Sequence, residues 1–187
     1  LSRIPPVSPD QVSDDLQHTL AAQALQFDTL TWQLVLAHLP AQLKAMGALM
    51  GTFATDSQVP KRLIEIAIVA VSQINACGHC SGRHGVRLVQ LGLSADTIAC
   101  MLDPDLPALT DVERLVRDYA VAVSEHSHQI DDAMFDKLRA HFTPPQIIEL
   151  TMRIALAGFF NRFNNALGIS LDDKHAAAAE RLGLSLP

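Results

Sequence analysis

Cys77-Gly78-His79-Cys80-Ser81-Gly82-Arg83-His84 is the stretch on which the reading of this chain turns. Two thiols form a CxxC pair, one histidine lies between them, and another follows four residues after the second thiol. At the start of a helix, Cys77, Cys80 and His84 fall at i, i+3 and i+7, one stripe of one face. Two vicinal thiols beside an imidazole are the minimum equipment for reversible thiol–disulfide chemistry. The backbone path just before Cys77 decides what joins them. A continuous helix would leave Glu65 about 18 Å from Cys77 at 1.5 Å per residue. A reversal near Asn75–Gly78, with Gly78 supplying the permissive backbone angles, makes two antiparallel helices instead. Glu65 then lies about ten residues before the turn and His84 about eight after it, so the carboxylate meets the imidazole at nearly equal helical rise. There it orients the ring and strengthens it as a base.

Outward from that hairpin the chain reads as helices throughout. Pro60 opens a strongly apolar helix from Lys61 to about Asn75, and the Cys77 helix runs to Leu91 with Gly92 as its terminator. Upstream, three prolines in residues 1–9 mark an extended N-terminal arm, residues 1–12. Helices from about Ser13 to Phe27, Thr31 to His38 and Ala41 to Phe53 follow. Downstream, a short helix begins after Ser94. The capping-box patterns Thr110-Asp-Val-Glu113 and Thr143-Pro-Pro-Gln146 announce helices near 111–126 and 144–166. Asp131–His141 and Asp172–Leu182 complete an all-α domain spanning 13–187. Pro60-x-x-x-Ile64-Glu65 is echoed by Pro144-x-x-x-Ile148-Glu149, an offset that aligns Cys77 with Asn161 and Cys80 with Asn164. The echo predicts an internally repeated helical hairpin: a redox copy at 60–92 and a degenerate second copy at 143–170.

Composition agrees. Half of the 187 residues are apolar (49%) but only 5% are aromatic, which favours helices packed through small side chains over a β-sandwich. A net charge of −6 without a basic run argues against a nucleic-acid surface and leaves small molecules or proteins as partners. Three cysteines make no disulfide framework, and with no apolar leader in view the expected location is the reducing cytoplasm. No apolar run reaches the roughly 20 residues of a membrane span. Ile147–Phe163 comes nearest, and Glu149, Arg153 and Asn161 interrupt it.

A free thiol near pKa ~8.5 is mostly protonated at neutral pH. A helix N-terminus favours its thiolate, and His79 and His84 are placed to relay the proton. Zinc is the rival use of the same residues, with Cys77, Cys80 and His84 as ligands and His79 or Glu65 as the fourth. A thioredoxin-like reading needs a βαβ context that is absent. Cys100, without a His or acidic neighbour, reads as buried packing. His126 and His128 read as surface residues, and Met46, Met50 and Met101 as core filler. Trp32 and Tyr119 carry no discriminating signal.

Glu65, eleven intervening residues, then Cys77-x-His79-Cys80-x-x-x-His84 resembles the signature of the alkylhydroperoxidase AhpD-like proteins of the carboxymuconolactone decarboxylase superfamily. The segment from Phe135 through Pro144-Pro-Gln-Ile-Ile-Glu-Leu to Asn161-Arg-Phe-Asn-Asn-Ala-Leu-Gly-Ile169 is similar to that superfamily as well. The resemblance implies an all-helical fold assembled into homo-oligomers, as dimers, trimers or hexamers. It also implies a thiol peroxidase that reduces a hydroperoxide without metal, haem or flavin. On the family pattern Cys80 is peroxidatic, Cys77 resolves it, and Glu65, His79 and His84 form the proton relay. Electrons arrive from an external dithiol, a lipoyl or thioredoxin-like reductant. An apolar wall including Phe159 and Phe160 would favour organic hydroperoxides. Two other functions fit the same sequence less closely: decarboxylase-type acid–base chemistry, and a redox-sensing or metal-binding module.

Overall fold

Residues 64–71, Ile-Glu-Ile-Ala-Ile-Val-Ala-Val, are rich in β-branched side chains that alone would suit a strand, yet they form a helix. Local propensity gives way to packing, because every one of them is buried among other helices. The computed structural model describes residues 2–28 and 30–187, and among these there is no strand. Its α-helices are α1 (Asp14–Phe27), α2 (Thr31–Leu36), α3 (Pro40–Thr55), α4 (Lys61–Ile74), α5 (Gly78–Gln90), α6 (Ala95–Ala99), α7 (Asp111–His126), α8 (Asp132–His141), α9 (Pro144–Leu167) and α10 (Asp173–Arg181). None is long and apolar enough to cross a membrane.

Helix α4 is the axis of the main core, packed by α5, α7 and α9. Ile66, Val69 and Val71 are fully buried with Leu88 of α5, Val116 of α7 and Leu150 of α9. Helix ends are tied into this core by charge. Thr110 and Glu113 form the capping box of α7, and Glu113 also accepts from Arg62 Nε at 2.5 Å. Arg62 donates its Nη1 to the Leu91 carbonyl at the end of α5 (2.6 Å), so one side chain joins three helices.

A second apolar cluster is built by α1, α2 and α3 on the C-terminal part of α9, with Leu16, Leu20, Trp32, Leu43 and Ile169 buried and Phe160 and Phe163 packed against it. The N-terminal arm straps this layer down. Arg3 donates from its backbone N–H to Leu167 O (2.7 Å) and from its guanidinium to Ala166 O (2.6 Å), placing a cation on the exposed carbonyls at the end of α9.

The chain does double back between α4 and α5, but Ala76 rather than Gly78 makes the turn. Ala76 N–H donates to Gln73 O (3.0 Å) and Cys77 N–H to Ser72 O (2.9 Å), with Ala76 in the left-handed region at φ 48°. That bond pair is a Schellman closure, which satisfies the last carbonyls of α4. Gly78 already belongs to α5. A second correction concerns 143–170. The echo of the first hairpin is not a hairpin, because α9 runs unbroken for 24 residues. Residues aligned with the turn are Gly158-Phe-Phe-Asn161, and nothing there adopts a positive φ. Cys100 is exposed at the end of α6, not packed in the core.

Ala76 is exposed, so replacing it changes backbone strain and little else. Ala76→Gly should stabilise the fold by about 0.5–1 kcal/mol and Ala76→Val should destabilise it, both read from urea midpoints at constant m-value.

Candidate active site

The reversal brings the acid of the incoming helix onto the imidazole of the outgoing one. Glu65 on α4 and His84 on α5 meet through Oε2 and Nδ1 at 2.6 Å, and Arg87 Nη1 lies 3.7 Å from the other carboxylate oxygen. Burial pushes Glu65 up, but His84, Arg87 and Arg153 together bring its carboxyl below the usual value. His84 is also pushed down: burial outweighs the attraction of Glu65, and Arg87 and Arg83 add to the lowering. Both directions describe the same state at neutral pH, an ionised carboxylate against a neutral ring. An ionised carboxylate only accepts, so Nδ1 carries the hydrogen and Nε2 is left as the basic nitrogen.

His79 is held in the same way by a different partner. Its Nδ1 lies 3.0 Å from the Ser170 carbonyl, in the link between α9 and α10, so Nδ1–H donates there and Nε2 stays free. Burial is the main cause that pushes its pKa down to about 4, keeping it neutral. That link packs closely on α5: a Cβ on Gly82 would fall 2.4 Å from Leu171 Cδ2, so the tip of the leucine would have to shift.

The two thiols are unbonded and differ in setting. Cys77 is the N-cap of α5, fully buried, and its Sγ accepts from the Cys80 N–H at 3.4 Å. Hydrogen bonds from Cys80, both side chain and backbone, and from Asn161 and Asn164 overcome burial and bring Cys77 down to about 7. Cys80 is pushed up, first by its bond to Cys77, then by burial and by the charge of Cys77. The two sulfurs therefore titrate as a coupled pair, in which the helix N-terminus favours the thiolate at Cys77 over Cys80. Cys80 Sγ also accepts from Asn164 Nδ2 at 3.4 Å.

Glu65, His79, Cys80 and His84 line one cavity of about 570 Å³ between the main core and the N-terminal layer, and Cys77 lies behind Cys80. α3 roofs it with Met50 and Phe53, while Trp32, Ile64, Ile68 and Phe160 add apolar wall. Phe160 is in the wall as expected from the sequence, whereas Phe159 is exposed outside it. Lys61, Arg83, Arg87 and Arg153 also line the cavity. No group of three or more His, Cys, Asp or Glu among the described residues is arranged to hold a metal ion.

Sequence reasoning missed several of these residues. Asn161 and Asn164 were visible only as positions aligned with the cysteines. In space they lie beside them, with Asn161 Nδ2 on Ser72 Oγ at 3.2 Å and Asn161 Oδ1 accepting from Asn75 at 3.3 Å. Trp32, Met50 and Phe53 carry no motif and reach the cavity only through packing of the N-terminal layer. Arg153 sits inside an apolar helix, where a lone charge facing inward was the available signal.

Residues 40–122 match the carboxymuconolactone decarboxylase family. An uncharacterized protein of Escherichia coli K12, YnjA, is 32% identical over 100 residues, 53% of this chain and 55% of YnjA, so the match takes in about half of that relative's length. A solved structure described as an alkylhydroperoxidase AhpD core, an uncharacterized peroxidase-related protein of Ralstonia eutropha JMP134, superposes with a TM-score of 0.80. It is 26% identical and covers 93% of this chain and 94% of its own. The debrominase Bmp8 has the same fold at 18% identity, with a TM-score of 0.78 over 95% of this chain and 96% of its own. The hairpin signature, the helical architecture and these matches agree: residues 40–122 are similar to the carboxymuconolactone decarboxylase family, and the chain has the AhpD-like helical fold.

Proposed function

We propose that the protein is a thiol peroxidase that reduces hydroperoxides at Cys80 and Cys77. The observation that carries this reading is the unequal setting of the two sulfurs: Cys80 faces the cavity, and Cys77 lies one helical turn behind it, buried at the N-cap of α5 with its thiol drawn below the ordinary value. As substrate enters, the Cys80 proton passes to Cys77, and the Cys80 thiolate attacks the O–O bond. A sulfur–oxygen bond forms as the O–O bond breaks, the sulfur gives up two electrons, and the departing alkoxide takes the proton held on Cys77. Cys77 is thereby a thiolate again at the moment a second nucleophile is needed. It attacks the Cys80 sulfenic acid, the disulfide forms, and hydroxide leaves as water with a proton relayed from solvent through His84. An external dithiol restores both thiols by exchange. Glu65 holds His84 in the tautomer that presents Nε2 to the cavity, and His79 presents its Nε2 from the opposite anchor at Ser170.

Intact mass spectrometry after one equivalent of cumene hydroperoxide should show loss of two hydrogens, mapped to Cys77 and Cys80. Cys80→Ser should abolish consumption, and Cys77→Ser should stop after one event at a sulfenic acid trapped by dimedone. Retention of turnover on a muconolactone by the protein with both cysteines replaced would favour decarboxylase-type chemistry instead.

The rate of the first oxidation should rise with pH through about 7, as the pair loses the first of its two thiol protons. Asn164 and Asn161 favour the anion, so Asn164→Ala should move that rise to higher pH in stopped-flow measurements. His84→Ala should slow the disulfide-forming step by about 100-fold.

A further inference from the structure

The cavity carries a charge pattern that peroxide reduction by itself does not call for. Lys61, Arg83, Arg87 and Arg153 line it, against Glu65 as the one carboxylate among the lining residues. Glu65 is already engaged, through one oxygen with His84 and through the other with Arg87. Arg83 has Asp172 and Asp28 near it. Arg153 is different. No carboxylate among the described residues lies within ion-pair distance of it, and its guanidinium lies over the Phe53 ring, with Cζ 4.9 Å from the centroid. Glu149, one turn before it on α9, does not answer it, because both of its oxygens are taken. Oε1 accepts from Ser57 Oγ (2.6 Å), and Oε2 from the Gln58 and Val59 N–H groups (2.8 and 3.3 Å). A guanidinium held inside a mostly apolar cavity without a counter-ion costs free energy unless an anion from outside completes it.

We infer that Arg153, stacked on Phe53 and aided by Arg87, is the anchor for a carboxylate on the substrate, so that the enzyme takes organic hydroperoxides bearing an acidic head and an apolar body. A guanidinium fork matches a planar carboxylate, and stacking on an aromatic ring fixes its plane while leaving its edge free to donate. The apolar body has its counterpart in Trp32, Met50, Ile68 and Phe160, in a volume suited to a ligand of drug size. Burial is the main cause that holds the Arg153 guanidinium below its usual value, with Glu65 and Glu149 opposing the lowering from beyond ion-pair distance and Arg87 reinforcing it. Arg153 acts here by positioning the substrate; the reacting atoms remain those of Cys80 and Cys77.

The word hydroperoxide in this inference rests on the function proposed above, whereas the carboxylate site does not, and the test separates them. Trp32 is the chain's one tryptophan and lines the cavity, so its fluorescence reports occupancy without turnover. 4-Isopropylbenzoate should bind at least about tenfold more tightly than the neutral 4-isopropylbenzamide, as a charge-assisted bond implies. Arg153→Gln should bring that ratio close to one, and Arg153→Lys should keep part of it. Equal affinity of the wild type for acid and amide would overturn the inference, as would an acid preference surviving in Arg153→Gln. In turnover, 4-(2-hydroperoxypropan-2-yl)benzoate should outrun its methyl ester in kcat/KM, chiefly through KM. If both are consumed at equal rates, the peroxidase stands and the carboxylate anchor falls. If neither is consumed but the acid still binds selectively through Arg153, the anchor stands and the peroxidase falls.

Discussion

The contact between Glu65 and His84, 2.6 Å long and drawn from two helices, depends on how the chain turns through Asn75, Ala76 and Cys77. Two antiparallel rods can be set in many registers, and only one puts a carboxylate ten positions before the turn onto a ring eight positions after it. The Schellman closure fixes that register by fastening Cys77 N–H to Ser72 O. The same closure makes Cys77 the first capping group of α5, so its sulfur faces unpaired N–H groups. Thus one turn orients the imidazole and acidifies a thiol. The strain of Ala76 at φ 48° is small beside what it secures, and the neighbouring helix helps to hold it.

That help comes from α9. Asn165 Nδ2 donates to the Asn75 carbonyl at 2.8 Å, Asn75 donates to Asn161 Oδ1, and Asn161 donates to Ser72 Oγ, a chain of amides clasping the turn from outside. Asn164 continues the row and reaches Cys80. The sequence echo that aligned Cys77 with Asn161 and Cys80 with Asn164 therefore has a spatial meaning, although its hairpin interpretation does not survive. Where the first copy breaks to make a site, the second stays a straight helix and supplies amide donors to it. The aligned acids have likewise diverged in use: Glu65 faces an imidazole, and Glu149 caps the backbone of residues 57–59.

The helices were legible because their signals are local: Pro60, the Thr110 capping box and Gly92 each act within one turn. The CxxC, both histidines and Glu65 were legible because their spacing survives any packing once the reversal is granted. The residue that makes the reversal was not, since a left-handed Ala looks like any other Ala in sequence. Nor was the division of charge between the thiols. Helix position favours Cys77, and access to the cavity favours Cys80, and only the folded chain brings both together. The N-terminal layer was opaque for a deeper reason. Met50, Phe53 and Trp32 enter the site through long-range packing of α2 and α3 on α9, which no periodicity encodes.

On the function and the anchor proposed above, chemistry and selection reside in different parts of the molecule. The hairpin carries the sulfurs and the Glu65–His84 contact, while α3 and Arg153 of α9 line the cavity in front of them. Arg87 links the two, because it faces the cavity and also draws on Glu65. Its positive charge, with that of Arg83, helps to hold His84 below the ordinary imidazole value. An anionic substrate settled against Arg153 and Arg87 offsets part of that charge, which loosens the hold of Arg87 on Glu65 and makes the ring of His84 a stronger base. On the function proposed here, the relay is then weakest in the empty cavity and strongest when a substrate of the right charge occupies it. The cluster of cations around a buried relay becomes intelligible as a device that ties proton transfer to binding.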